Sequence, residues 1–146
     1  NNIKATKEAL SKDEHGNVWL RTGDIGYLDK DGQLFFKQRL KRMIVSNGYN
    51  IYPSYIENIL NSHSDISCSV VVGKKDKIRG QIAKAYIVLK DEIKKSDVEL
   101  DKIKKYSESR ISKYSLPKEY EFIDSLPTTH LGKIDYKKLE KEHIDK

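Results

Sequence analysis

"RMIVSNGYNIYPSYIENIL", Arg42 to Leu60, is the stretch that decides the fold. Two short apolar runs, "RMIVS" and "YNIY", flank the segment "NGYN". An Asn-Gly pair between such runs predicts two short strands joined by a tight turn. Pro53 follows at a place where a helix can begin, because the first helical turn has no use for the missing N–H. Ile56, Ile59 and Leu60 then fall on one face of that helix. A hairpin leading straight into an amphipathic helix is the start of a small α+β sandwich.

The remaining segments extend this pattern in both directions. Downstream, "ISCSVVVG" predicts a buried strand and "GQIAKAYIVLK" a second one. Ser96 and Glu99 form a capping-box pattern in front of a helix reaching about Ser112, with Leu116-Pro117 as its stop. "EYEFID" predicts a last short strand, and a short charged helix follows from Asp135. Upstream, Asn1 to Leu10 reads as a short polar helix or arm, "KDEHGN" as a turn, and "VWLRTGDIGYLDKDGQLFFKQ" as a strand, a loop and a hairpin. The Asp31-Gly32 pair is the expected hairpin turn. The expected fold is α+β, with helices on one face of a small mixed or antiparallel sheet.

Composition narrows the class. The 146 residues suit one ordinary domain with a fragment of another, and 37% apolar residues grouped in periodic runs support a modest core. The net charge of +6 comes from 28 Lys+Arg against 22 Asp+Glu. The lysines are mixed with acids, as in "DEIKKSDVELDKIKK", which describes a solvated surface more than a nucleic-acid stripe. Cys68 is the single cysteine; it excludes an internal disulfide, and in its apolar run a buried thiol is expected. No apolar run approaches the roughly 18 residues of a membrane helix, so a cytoplasmic setting is expected. The chain begins without methionine, and an excised piece of a longer protein is the corresponding expectation.

Several chemistries fail on their own requirements. His15, His63, His130 and His143 are scattered singly and no second cysteine exists, so no metal site is read from spacing. A calcium loop starting at Asp29 would need a closing glutamate where Leu40 stands. There is no G-x-S-x-G nucleophile elbow. "PTTHLGKI" cannot be a phosphate loop, since Pro127 replaces its first glycine and Ile134 its Ser or Thr.

Three segments together carry a family resemblance. "WLRTGDIGYLDKDG", "QRLKRMIVSNGYNIYPSYIE" and "LPTTHLGKIDYKKL" resemble, in order and spacing, three motifs of the AMP-forming acyl-CoA synthetases. That superfamily also contains luciferases and the adenylation domains of peptide synthetases. The resemblance covers essentially the whole chain. It implies that residues 1–39 are the tail end of a large N-terminal domain and residues 40–146 a mobile C-terminal lid domain. It also implies an ATP-dependent acid–thiol ligase, most simply a fatty acid–CoA ligase. Such an enzyme forms an acyl-adenylate with release of pyrophosphate, then a thioester with release of AMP. ATP with Mg and coenzyme A would be the cofactor and co-substrate, and the missing N-terminal domain the main partner. As an isolated piece, the chain is expected to be inactive.

The resemblance assigns roles residue by residue. Asp24 and Arg39 would hold the ribose of ATP, a carboxylate offering two acceptors to a vicinal diol and a guanidinium offering several donors. Lys41 would be the hinge on which the small domain turns. Gly48 and Tyr49 would line the path of the pantetheine arm. Lys133 would be the catalytic cation of adenylate formation, a compact point charge between carboxylate and α-phosphate. Gln38, Tyr55 and Val45 depart from the family's usual glycine, glutamate and lysine, and weaken the transfer of thioester-step detail. A carrier-protein-loading adenylation enzyme is the nearest alternative. A non-catalytic basic interaction or nucleic-acid-binding module is the distant one.

Overall fold

Aspartate followed three residues later by glycine shapes the start of the chain. The computed structural model describes residues 2–141. In it, helix α1 (Ile3–Ala9) is capped by the Asn2 side chain, which accepts the Ala5 N–H at 3.1 Å. Strands β1 (Leu10–Lys12) and β2 (Val18–Leu20) pair antiparallel, and β3 (Asp24–Leu28) and β4 (Leu34–Arg39) form a second hairpin. Both hairpins turn by the same device. One oxygen of Asp13, and one of Asp29, accepts two backbone N–H groups, while Gly16 (φ +82) and Gly32 (φ +77) take the left-handed position. The second turn is therefore centred on Lys30-Asp31, with Gly32 as its exit, and not on the expected Asp31-Gly32 pair.

Asp13 also accepts the indole N–H of Trp19 (2.9 Å) and the Asn17 side-chain amide (3.0 Å). These bonds, the indole's above all, lower its carboxyl from an ordinary value near 3.8 to about 2. A lowered folded-state value means that the stabilisation is complete above the unfolded value. It is lost as pH falls through the folded one. Trp19 is the single tryptophan, so its fluorescence should stay level through pH 4 and change only towards pH 2. A transition centred near pH 4 would contradict this bonding.

One compact unit ends at Lys41 and the second begins at Arg42. The second opens with β5 (Ile44–Ser46) and β6 (Tyr49–Ile51) around Asn47 (φ +50) and Gly48 (φ +79). Two successive positive φ values match the right-handed twist of a hairpin, which is why Asn-Gly sits there. Helix α2 (Pro53–Asn61) begins at the proline and buries Ile56 and Leu60 completely. Strands β7 (Ile66–Asp76) and β8 (Gly80–Leu89) form the long central hairpin, and β9 (Glu119–Phe122) lies parallel to β8. The sheet order is β6-β5-β8-β7, with β9 on β8. The sheet is mixed, as expected. Helix α3 (Asp97–Glu108) starts at Ser96, whose hydroxyl accepts the Glu99 N–H, and α4 is Tyr136–Lys141.

Three further expectations need correction. Helix α3 stops at Glu108, four residues short of Ser112. The Ser109 hydroxyl donates to Tyr106 O (2.8 Å) and Ile111 N–H turns back to Ser107 O (2.8 Å), drawing Ile111 into the core. Helices also cover both faces of the sheet instead of one. Alternation along β7 and β8 sends Val71, Ala83, Ala85 and Ile87 towards α2 and α3. It sends Val70, Val72 and Tyr86 to the opposite face, where Leu139 of α4 covers them. Both faces of β7 and β8 are apolar, so one layer of helices could not bury them. Cys68 is half-buried rather than buried, beside an irregularity in the β7–β8 register, and desolvation pushes its thiol up. His143 lies outside the described residues. No helix of the described residues is long and apolar enough to cross a membrane.

Candidate functional site

In the first unit, the β3–β4 register sets Asp24 directly opposite Arg39, and Arg39 Nε reaches Asp24 Oδ1 at 3.2 Å. Residues fifteen apart in sequence thus share one sheet end, and both stay accessible, with side chains 38% and 72% exposed. Gly23 (φ +78) and the bond from Leu40 N–H to Gly23 O (2.7 Å) fix the backbone beside the pair. A carboxylate and a guanidinium side by side present acceptors and donors together, a fit for a vicinal diol.

Lys41 lies exposed in a single 3₁₀ turn, Leu40–Arg42. Its neighbour Arg42 is held far more firmly. The Arg42 guanidinium donates to Glu57 Oε1 (2.5 Å) and Val71 O (3.4 Å), and covers the ring of Tyr136 at 4.0 Å. Arg42 therefore joins α2, β7 and the start of α4 at the first residue of the second unit. Sequence reasoning missed it because each of its three partners is distant along the chain.

The Asn47-Gly48 turn is exposed and tied down by Asn47 N–H donating to Arg79 O at 3.0 Å. Tyr49 stacks on Tyr114, with ring centroids 4.6 Å apart and planes within 20°. The turn and the two rings border an open cleft of about 240 Å³, to which Arg79, Lys113 and Lys118 bring three cations. The Asn47-Gly48 turn and Tyr49 were singled out from the sequence; Arg79 comes from the β7–β8 turn, and Lys113, Tyr114 and Lys118 from the segment after α3. A stacked aromatic surface beside three cations suits a phosphorylated, ring-bearing ligand.

Lys133 sits on a small hairpin with the same geometry as the turns at the start of the chain. Gly132 (φ +73) donates to Thr129 O, Thr129 N–H donates to Lys133 O (2.7 Å), and Thr128 and Ile134 form a bridge. Asp135 N–H adds a bond to Pro127 O at 2.8 Å. A Cβ added at Gly132 or at Gly48 would meet nothing within 4 Å. What requires glycine at both places in this chain is the left-handed backbone, not crowding. The Lys133 side chain is exposed, and its ammonium has no partner among the described residues. A rigid backbone thus carries an uncommitted cation.

Residues 55–133 match the family model described as the AMP-binding enzyme C-terminal domain. The chain is 42% identical over 127 residues to a long-chain-fatty-acid–CoA ligase of Bacillus subtilis (strain 168), covering 87% of this chain and 22% of that enzyme. Among solved structures it resembles an ATP-bound chimera, RpMatB-BxBclM B1, at a TM-score of 0.87 and 27% identity, over 97% of this chain and 27% of that one. It also resembles the o-succinylbenzoate CoA synthetase of Bacillus subtilis in complex with its acyl-adenylate intermediate. There the TM-score is 0.77 and the identity 32%, over 96% of this chain and 27% of that one. The chain spans about a quarter of the length of these relatives. It belongs to the family of AMP-binding enzyme C-terminal domains.

Proposed function

We propose that this chain is the C-terminal part of an ATP-dependent acid–thiol ligase that makes an acyl-adenylate and then an acyl-CoA thioester. The observation that carries the reading is Lys133, an exposed cation without a partner among the described residues, on a hairpin pinned by three backbone bonds. In the first half-reaction the acid's carboxylate attacks the α-phosphate of ATP, and pyrophosphate leaves. Two anionic groups must approach, and a lysine delivered between them offsets their repulsion most in the transition state. Asp24 and Arg39 would hold the ribose, and Mg²⁺ would accompany the triphosphate. In the second half-reaction the thiol of coenzyme A attacks the adenylate carbonyl, and AMP leaves. Lys41, placed where one unit ends and the next begins, would serve as the hinge between the halves.

Residues 1–39 are read as the last strands of a larger N-terminal domain. The whole of β2 is apolar and exposed, with Val18, Trp19 and Leu20 at least 60% accessible, a surface that calls for a covering partner. Relatives act on different acids, and similarity to the Bacillus long-chain-fatty-acid–CoA ligase supports a fatty acid as the reading. A cytoplasmic setting fits that chemistry.

The cleft beside Gly48 and Tyr49 favours coenzyme A over a carrier protein as acceptor. A nucleotide with several phosphates uses both the stacked rings and the three cations, whereas a pantetheine arm alone would leave most of them idle. In the full-length enzyme, ATP, acid and CoA should yield AMP, pyrophosphate and thioester; ADP as product would sink the reading. Arg79→Ala combined with Lys118→Ala should raise KM for CoA about tenfold, the equivalent of one weakened charged contact. Acid-dependent ATP–pyrophosphate exchange should stay within about twofold of the parent enzyme. An unchanged KM would remove the cleft from the thioester step.

A further inference from the structure

The fold brings Glu99 beside His63 and Asp65, two metal-binding side chains that are two residues apart in sequence. One donor atom each of His63, Asp65 and Glu99 lies within 4.8 Å of the others. We propose that this cluster binds a divalent cation of the zinc class through one imidazole nitrogen and two carboxylate oxygens. It shares no residue with Asp24, Arg39, Lys133 or the cleft at Tyr49.

Glu99 carries the argument. Its side chain is only 7% exposed, and among the described residues no N–H group donates to Oε1. The other oxygen, Oε2, accepts the Lys102 ammonium at 3.1 Å. A buried carboxylate oxygen without a donor is costly, and here a second carboxylate, Asp65, stands beside it. Two acids and one lysine leave the cluster with an excess negative charge. A cation would satisfy Oε1 and relieve the repulsion between the carboxylates at once.

His63 is prepared for the same task. Its side chain is 11% exposed, and its ring meets the edge of Tyr106 with centroids 4.7 Å apart, which fixes its plane. Nδ1 lies 3.9 Å from Asp65 Oδ2, and its one lone pair accepts the Asp65 N–H at 3.2 Å, a bond that a metal at Nδ1 would replace. Asp65 Oδ1 is oriented by the Ser64 hydroxyl at 2.9 Å. The three residues rest on fixed supports. His63 N–H closes on Leu60 O at the end of α2, and Glu99 occupies the first turn of α3.

The donor set selects the metal. An imidazole disfavours Mg²⁺ and Ca²⁺, and the lack of thiolate disfavours soft ions. One nitrogen and two carboxylate oxygens with a water suit tetrahedral Zn²⁺. Lys102, 60% exposed, competes for the same carboxylate and can swing away. Its removal should therefore strengthen metal binding, a sign opposite to that of any ligand.

The test is titration of the full chain with Zn²⁺, and with Co²⁺ as a visible-absorbing substitute, in ATP-free buffer. One equivalent should bind and raise Tm. Glu99→Gln and His63→Gln should each weaken binding at least tenfold, and Lys102→Met should tighten it several-fold. In the unmutated chain, Co²⁺ should shift the proton resonances of the His63 ring, a readout that stands even if a variant does not fold. No binding, binding unaltered in both ligand variants, or Co²⁺ shifts confined to other histidines would each overturn the proposal.

Discussion

Lys133→Ala in the full-length enzyme should lower acid-dependent ATP–pyrophosphate exchange by roughly 10²–10³-fold. A unit charge about 4 Å from an anion contributes on the order of 4 kcal/mol at an effective dielectric near 20. Each 1.4 kcal/mol of that, if realised only in the transition state, is about tenfold in rate. Thioester formation from supplied acyl-adenylate should survive nearly unchanged, because no phosphate is attacked in that step. The contrast between half-reactions is the informative measurement. The turn around Lys133 is made of backbone bonds and Gly132, so alanine at position 133 leaves it standing. Equal loss in both half-reactions, or loss in neither, would remove the assigned role.

Glu57→Ala should be the most damaging single change to the stability of the second unit outside its apolar core. Glu57 Oε1 accepts both the Arg42 guanidinium and the Val71 N–H (2.8 Å), and its side chain is 12% exposed. Alanine leaves a mostly buried guanidinium without its carboxylate and a strand N–H without its acceptor. Breaking one side of a buried pair costs about 3–5 kcal/mol, and the residual exposure of Arg42 places this case at about 3. For a unit of this size that is a fall in Tm of roughly 10–20 °C. Glu57→Gln keeps an acceptor and should lose about half as much. A thermal melt of Glu57→Ala within 2 °C of the parent would show that Arg42 is not an anchor.

What could be read from the sequence divides by distance along the chain. Asn47-Gly48, Pro53 and the Ser96–Glu99 cap are local devices, and each produced the element expected of it. The end of α3 was misjudged because serine hydroxyls compete for terminal helix carbonyls, an effect that apolar periodicity does not register. The second layer of helix was missed because a buried two-sided strand reads simply as an apolar run. Its far face becomes visible only when Val70, Val72 and Tyr86 are seen against Leu139. Lys133, Asp24 and Arg39 were singled out through the family resemblance alone, and the pairing of the last two is set by hairpin register. Arg42, Arg79, Tyr114 and the His63–Asp65–Glu99 cluster were not legible, since each depends on partners from other elements.

The turns that carry Gly16, Gly32, Gly48 and Gly132 all use backbone of the opposite hand to that preferred by L-amino acids. Glycine, being achiral, is indifferent to that choice, and the genetic alphabet offers no mirror-image alternative. The residue immediately before the proposed catalytic lysine is therefore nearly frozen, although open space surrounds it. Variation that tunes how Lys133 is presented has to come from Thr128 to Leu131 or from Ile134 onward. Position 132 itself has almost no vocabulary.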